Sequence, residues 1–324
     1  MRVIWALLAV AVIATIGWGG YWFMGARALD RAVSTVLQRN PAVSAESHSL
    51  QGFPNRFDLT LNAPQVTQGA LQWRAPFVQI FALSYRLNHM IAVFAHDQNI
   101  TVLGQELTLH TEDMRASLVM EPGLTLPLER FALVAESPAL RSAHEAHHAD
   151  TARIASHALD ARRHRMVIEL ENAFPDPSTM AALDPQGHWP RRFDVIRLEG
   201  EAEFDRPLDR HALETVPPRL LELALTGARL VFDGSAVTAR GRLIPDAQGY
   251  LSGEMVLEVQ GWRALMRRAR DAGLMPAEHD MLVTMAMQSM ADPENPERLE
   301  APLAVRAGDI MLGPVMLGSI PPIY

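Results

Sequence analysis

The sequence predicts a mainly β protein with some α: an N-terminal transmembrane helix followed by an elongated antiparallel sheet body with a few covering helices. Three observations predict it. Val3–Met24 contains no charged residue. From about Val43 the apolar period changes from that of a helix to two. The stretch from Leu221 to Gln260 reads as three long alternating runs joined by turn residues.

The first segment, residues 1–25, is read as a signal-anchor. At ~1.5 Å per residue, Val3–Met24 reaches roughly 30 Å or slightly more, the thickness of a bilayer's hydrocarbon core. Trp18, Tyr21, Trp22 and Phe23 gather at its far end, and such rings favour the headgroup level. Ala26-Arg27-Ala28 offers a small-x-small cleavage site, but the apolar run is longer than the ~7–15 residues of a cleaved signal. A retained anchor is therefore expected, with the lipid bilayer as partner through Val3–Met24. Arg2 lies on one side of it and Arg27, Arg31 and Arg39 on the other, and that count alone favours a cytoplasmic body. A short basic head before a long apolar run favours export.

Residues 26–40 continue as a helical stalk, which must end before Asn40-Pro41. Residues 41–175 form a first β-rich subdomain. Phe57, Leu59 and Leu61 alternate with Asp58 and Thr60, which places the three apolar residues on one strand face. Further strands are read at Ala70–Trp73, Met90–Phe94, Ile100–Leu103, Glu106–His110, Arg115–Met120 and Leu124–Ala135. Pro175, Pro177, Pro185 and Pro190 crowd Phe174–Pro190, where neither helix nor central strand is expected. Residues 176–190 are thus a linker, and 191–324 a second β-rich subdomain with a helix pair at 262–290.

In that second part Leu221, Leu223 and Leu225 alternate with Glu222, Ala224 and Thr226. Asp233-Gly234-Ser235 turns the chain, Ala236–Ile244 returns, Asp246–Gly249 turns again, and Leu251–Gln260 goes back. One wide apolar face results, which helices, another sheet or a lipid-like ligand must cover. Trp262, Leu265, Met266 and Ala269 have helical spacing, with Arg263, Arg267 and Arg270 elsewhere. Gly273 ends this helix, and Pro276 starts the methionine-dense Glu278–Met290. Leu303–Ala307, a Gly308-Asp309 turn and Ile310–Leu312 make a closing hairpin.

Composition removes several function classes. The 324 residues are 48% hydrophobic, enough for a packed core, and carry a net charge of −8. Mild acidity gives no footprint for nucleic acid. Cysteine is absent, and with it disulfides, thiol catalysis and Cys-ligated metal. All 29 basic residues are arginine, so Schiff-base and Walker-type chemistry are absent too. No G-x-S-x-G, G-x-G-x-x-G or P-loop occurs.

His144-Glu145-Ala146-His147-His148 satisfies H-E-x-x-H, the zinc-protease pattern. Such a site needs a helix and a third ligand. The extended pattern would place glycine at 151 and histidine at 154, where Thr151 and Ile154 stand. The flanks lack an apolar stripe, so the stretch is expected to be a polar surface connection. Glu169/Glu171 and Glu199/Glu201 sit at strand spacing and are expected on a solvated face. No catalytic, cofactor-binding or metal-ligating residue is assigned, and no cofactor.

The apolar start, Gly52-Phe53-Pro54-Asn55-Arg56-Phe57-Asp58-Leu59-Thr60-Leu61, Ser84-Tyr85 with Asn88-His89, and Gly313-Pro314-Val315-Met316-Leu317-Gly318 together resemble the domain-of-unknown-function family 2125 of alphaproteobacteria. The resemblance spans most of the chain. It implies an exported, inner-membrane-anchored, β-rich protein and supplies no catalytic residues. It also tips the expected orientation toward a periplasmic body. More distantly, the meander followed by Gly261-Trp262 and a helix pair resembles repeats of AsmA-type envelope proteins, which handle lipid. The expected function is a non-enzymatic, inner-membrane-anchored periplasmic protein that binds a lipid or apolar molecule, or a membrane-protein partner, on its apolar sheet face in envelope maintenance. The alternatives are a scaffold of an envelope assembly and a zinc-dependent hydrolase through His144, Glu145 and His148.

Overall fold

Helix α1, Arg2–Arg39, is unbroken over 38 residues, so the apolar segment and the stalk are one rod of roughly 57 Å. It is the one helix among the described residues long and apolar enough to cross a membrane, and no residue of its most apolar stretch is buried by the rest of the chain. The computed structural model describes residues 2–183, 187, 190–213, 218–272, 277–313 and 315–323. Gly273 and Pro276, expected at helix ends, Pro185 of the proline-rich stretch and Pro314 of the closing Gly313–Gly318 motif lie outside them.

After α1 the chain enters two antiparallel sheets by turns. Strand β1 (Val43–Ser44) lies in the smaller sheet, β2 (Ser47–Gln51) and β3 (Arg56–Asn62) in the larger. The alternation continues with β4 (Gln65–Gln68) and β5 (Leu71–Arg74), smaller, then β6 (Phe77–Leu83) and β7 (Arg86–Phe94), larger. Next come β8 (Asp97–Val102) and β9 (Gln105–His110), smaller, and β10 (Asp113–Met120) and β11 (Leu128–Glu136), larger. Finally β12 (Ala139–Arg141) and β13 (Ala146–His148) complete a 7-stranded smaller sheet.

From β14 (Thr151–Ala158) onward every strand joins the larger sheet: β15 (Arg163–Ala173), β16 (Phe193–Phe204), β17 (Leu220–Phe232), β18 (Ser235–Pro245), β19 (Leu251–Gln260), β20 (Arg298–Arg306), β21 (Asp309–Leu312) and β22 (Val315–Ser319). The larger sheet has 15 strands in chain order, apart from excursions into the smaller one.

The two sheets are two leaves of one folded ribbon. Two residues separate β3 from β4, β5 from β6, β7 from β8, β9 from β10, β11 from β12 and β13 from β14. These pairs are Ala63-Pro64, Ala75-Pro76, Ala95-His96, Thr111-Glu112, Ser137-Pro138 and Ala149-Asp150. They hydrogen-bond to one another across neighbouring strands: Ala63 N to Pro76 O at 2.8 Å, Thr111 N to His96 O at 2.9 Å, and Ala149 N to Pro138 O at 3.0 Å. The ladder therefore runs through the crease. Small residues make a sharp fold possible: Ala75, Ala95, Thr111 and Ala149 are all buried there. In three of the six pairs proline stands second and brings no N–H that would need a partner where the ladder turns. Ala63 and Ser137 take φ of 46° and 49°, the left-handed kink that a bulge uses to bend a strand. The sequence reads as successive short strands because Ala-Pro looks like a terminus. In three dimensions each pair is one long strand bent once.

The inner faces of the leaves meet. Trp73 of the smaller leaf packs edge-on to Phe94 of the larger, with centroids 6.1 Å apart. Its Nε1 donates to the Gln98 side-chain oxygen at 2.8 Å, which satisfies both groups in an otherwise apolar seam. Helix α1 docks against the outermost strands. Trp22 stacks on Phe57 at 5.5 Å and donates to Arg56 O at 2.8 Å. A Cβ on Gly25 would lie 3.0 Å from the Phe57 ring, so glycine allows this close approach.

Two sequence expectations are corrected. Phe174–Pro190 holds a short helix, α2 (Pro177–Leu183). Pro177 occupies the first helical position, where no donor is needed, and Asp176 Oδ1 accepts from Ser178 N at 2.7 Å as the cap. The sheet runs on past this stretch, since β15 pairs with β16 from Arg163↔Glu203 to Ala173↔Phe193. The strand expected from Leu124 starts at Leu128, after Pro127, and leaves Leu124 90% exposed in a loop.

In the second half, α3 (Trp262–Asp271) buries Trp262 and Met266 against Val259 and Leu299. Helix α4 (Ala277–Met290) adds Val283, Met287 and Met290 to that cluster. A second core gathers Leu225, Leu243, Leu251, Met255, Leu303 and Val305, with Ile310, Leu312 and Ile320 from the last strands and the tail beyond them packed on it.

Candidate functional site

Cross-strand register assigns side chains to faces, because residues directly opposite share a side. One row of the larger sheet runs Leu133–Ile154–Ile168–Leu198–Ala228–Ala239–Leu257–Ala301. The next row toward the crease runs Ala135–Ala152–Leu170–Ile196–Leu230–Val237–Val259–Leu299. Both are wholly apolar. A β-bulge between Leu225 and Ala228 keeps the Leu223 and Leu225 side in step with Ala228 and Leu230, so β17 holds this face throughout.

The opposite face is ionic. Its row runs Val134–Arg153–Glu169–Arg197–Arg229–Thr238–Glu258–Glu300. Arg153 reaches Glu171 at 2.7 Å and Glu169 at 3.2 Å, and Arg197 reaches Glu169 at 2.5 Å and Glu199 at 2.8 Å. Arg165 pairs with Glu201 at 3.0 Å. The Arg197 guanidinium, above all, holds the Glu169 carboxyl below the usual carboxylate range, with Arg153 helping. The carboxylate pairs Glu169/Glu171 and Glu199/Glu201 are therefore rungs of a ladder of arginine–carboxylate contacts on the solvent side of the sheet.

The apolar face is covered at both ends and open between them. Near the crease the smaller leaf folds over it. At β18–β20, α3 and α4 lie on it, through Val237, Val259 and Leu299. Between these covers Ile154, Ile168 and Leu198 remain 36%, 42% and 41% exposed, although all three occupy central strands. At the crease end the face deepens into a cavity of about 310 Å³, at the lower edge of the ~300–1,000 Å³ range of ligand pockets. Leu109 and Leu140 of the smaller leaf face Ala152, Leu170 and Ile196 of the larger across it, with Phe174 at the margin. Its lining is almost wholly apolar.

His164 sits on the same face, 1% exposed, with Nδ1 at 3.1 Å from the Ser156 hydroxyl. Burial pushes its imidazole below the ordinary value.

The His144–His148 stretch is a turn followed by β13. The Ser142 hydroxyl accepts from Glu145 N at 3.0 Å and from His144 N at 3.2 Å, which fixes the turn. Strand β13 then pairs with β12. Without a helix the imidazoles of His144 and His148 are not stacked one turn apart. His148 lies flat on Phe174 with centroids 4.5 Å apart, and His147 Nδ1 accepts from Asp176 N at 3.0 Å. Among the described residues no three His, Asp or Glu side chains are grouped to hold a metal ion.

Sequence reasoning anticipated an apolar sheet face but located it at 221–260. The open part lies on β14–β16, which it did not single out. The signal was present: Ile196 and Leu198 alternate with Arg197, Glu199 and Glu201.

No curated protein and no solved structure matches the chain. A family model does, over residues 22–321, from the aromatic end of α1 to the tail beyond β22. The chain belongs to the family of uncharacterized proteins conserved in bacteria known as DUF2125.

Proposed function

We propose that this protein is a single-pass inner-membrane protein with a periplasmic body, and that its open apolar face holds the hydrocarbon chain of a lipid. The observation that carries this reading is the gap between the covers. Three large aliphatic side chains stand partly wet on central strands of a 15-stranded sheet, where burial is the norm. The gap leads into the 310 Å³ apolar cavity at the crease. A flexible hydrocarbon chain matches both shape and chemistry: it needs length, not hydrogen-bond partners. A bilayer-crossing α1 would keep such chains within reach of the sheet.

Placing p-benzoylphenylalanine at Ile168 of the full chain and irradiating membranes tests the reading. A lipid adduct detected by mass spectrometry is the expected result. Adducts to protein alone would overturn it in favour of a scaffold whose partner covers the face. The chain has no cysteine, so Leu103→Cys, 84% exposed, reports orientation. Labelling by an impermeant maleimide after outer-membrane permeabilisation is expected for a periplasmic body, and protection until lysis would place it in the cytoplasm.

A further inference from the structure

The hairpin tips of the larger leaf that lie nearest α1 form an apolar rim. Three tips come into register there. Ser84 N, between β6 and β7, donates to Asn55 O, between β2 and β3, at 2.9 Å. Asn88 Nδ2 donates to Met120 O at 2.8 Å, which sets the β10–β11 loop beside the start of β7. Turn tips normally carry polar residues. Here Phe53 is 54% exposed, Tyr85 67% and Leu124 90%, and Leu87, the second residue of β7, is 52% exposed beside them.

Helix α1 fixes the height of this rim. Trp18 Nε1 donates to Pro54 O at 2.9 Å, and the Tyr21 hydroxyl donates to Ser84 O at 2.7 Å. Phe23 stacks on Phe53 at 5.6 Å, and Trp22 meets the same ring edge-on at 5.4 Å. The aromatic residues that would mark the headgroup level of a bilayer-crossing α1 are thus the residues bonded to the tips. Strands β2 and β3 then run from the rim alongside the stalk, where His48 Nε2 meets Asp30 Oδ1 at 2.9 Å. The crease and the smaller leaf lie at the other end.

We infer that Phe53, Tyr85, Leu87 and Leu124 form a second membrane contact, inserted at the headgroup–acyl boundary of the bilayer that α1 crosses. The sheet then stands on the membrane by its edge, supported at several tips. This rests on the anchor reading of α1 and is independent of what fills the apolar face. Amphipathic rings and isolated leucines at such a rim are the side chains that partition into this boundary.

Single-cysteine variants of the full chain test it, because no native cysteine competes. Trp5→Cys, Tyr85→Cys, Leu124→Cys and Leu103→Cys are labelled with a polarity-sensitive fluorophore. Each is reconstituted in phosphatidylcholine–phosphatidylglycerol vesicles carrying a nitroxide at acyl carbon 5. Leu103, 84% exposed at a tip of the smaller leaf, matches the exposure of Leu124 but not its position. Severalfold quenching at Trp5, Tyr85 and Leu124 with little at Leu103 is the expected result. Quenching at Trp5 with Tyr85 and Leu124 as unquenched as Leu103 would overturn the rim and leave the anchor standing. An unquenched Trp5 label would remove the anchor and the rim together. A blue-shifted but unquenched Leu124 label would mean that protein covers the rim, which also overturns the proposal.

Discussion

Ile168→Gln separates an open binding face from an ordinary core. Ile168 is 42% exposed in the middle of the larger sheet, between Ile154 and Leu198 on the same row. Fully burying an isoleucine side chain is worth ~1.5–3 kcal/mol. A hydrocarbon chain that covered the wet fraction would therefore gain roughly 0.6–1.3 kcal/mol from this residue. Glutamine forfeits that contact, and its amide would lose water without gaining a partner, at about 1–3 kcal/mol. The expected loss of affinity is on the order of ten- to a thousandfold, at ~1.4 kcal/mol per factor of ten. Stability should fall by only about 1 kcal/mol, because the glutamine stem keeps much of the packing while its head reaches water. The assay is titration of the full chain, held in amphipol, with a polarity-sensitive fluorescent fatty acid, beside urea midpoints. Ile91→Gln is the matched control: Ile91 is 41% exposed, but register puts it on the opposite face, across from Phe81 and Ser117. Unchanged affinity in Ile168→Gln with a stability loss of ~2–5 kcal/mol would show a covered core position and refute the reasoning. Equal losses of affinity in both variants would refute it as well.

Three further outcomes follow from the packing. Burial lowers the His164 pKa, so between the unfolded value of ~6.5 and the folded value the unfolded chain binds more protons. Stability is then full above about pH 6.5 and declines on acidification below it; urea midpoints at stepped pH should show this decline, and His164→Gln should lack it. Gly253→Ala drives a Cβ into the Arg242 carbonyl oxygen across the β18–β19 ladder, and should cost ~1–3 kcal/mol in urea unfolding. Trp22→Ala removes the stack on Phe57 and the hydrogen bond to Arg56 O, a change of ~3–5 kcal/mol. It should open the β2–β3 hairpin to limited proteolysis while the β17–β20 meander stays protected.

Local periodicity by itself determined a large part of this protein. The uncharged run ending in Trp18–Phe23 specified α1, since length and composition alone set whether a helix can cross a bilayer. Asn40-Pro41 set its end, and period-two alternation with Asp-Gly and Gly turns set β17–β19 nearly to the residue. The alternation also implied one apolar face and one ionic face. What only the tertiary structure decided was where that face is covered. Ala63-Pro64, Ala75-Pro76 and Ser137-Pro138 look locally like strand ends, but hydrogen bonds between Ala63-Pro64 and Ala75-Pro76, and between Ser137-Pro138 and Ala149-Asp150, carry the ladder through the crease. The crease folds the smaller leaf over part of the face, while Trp262 and Met266 close another part. Ile154, Ile168 and Leu198 are open because neither cover reaches them. Alternation records which way a side chain points; what lies opposite it depends on segments tens of residues distant, and only folding brings those together.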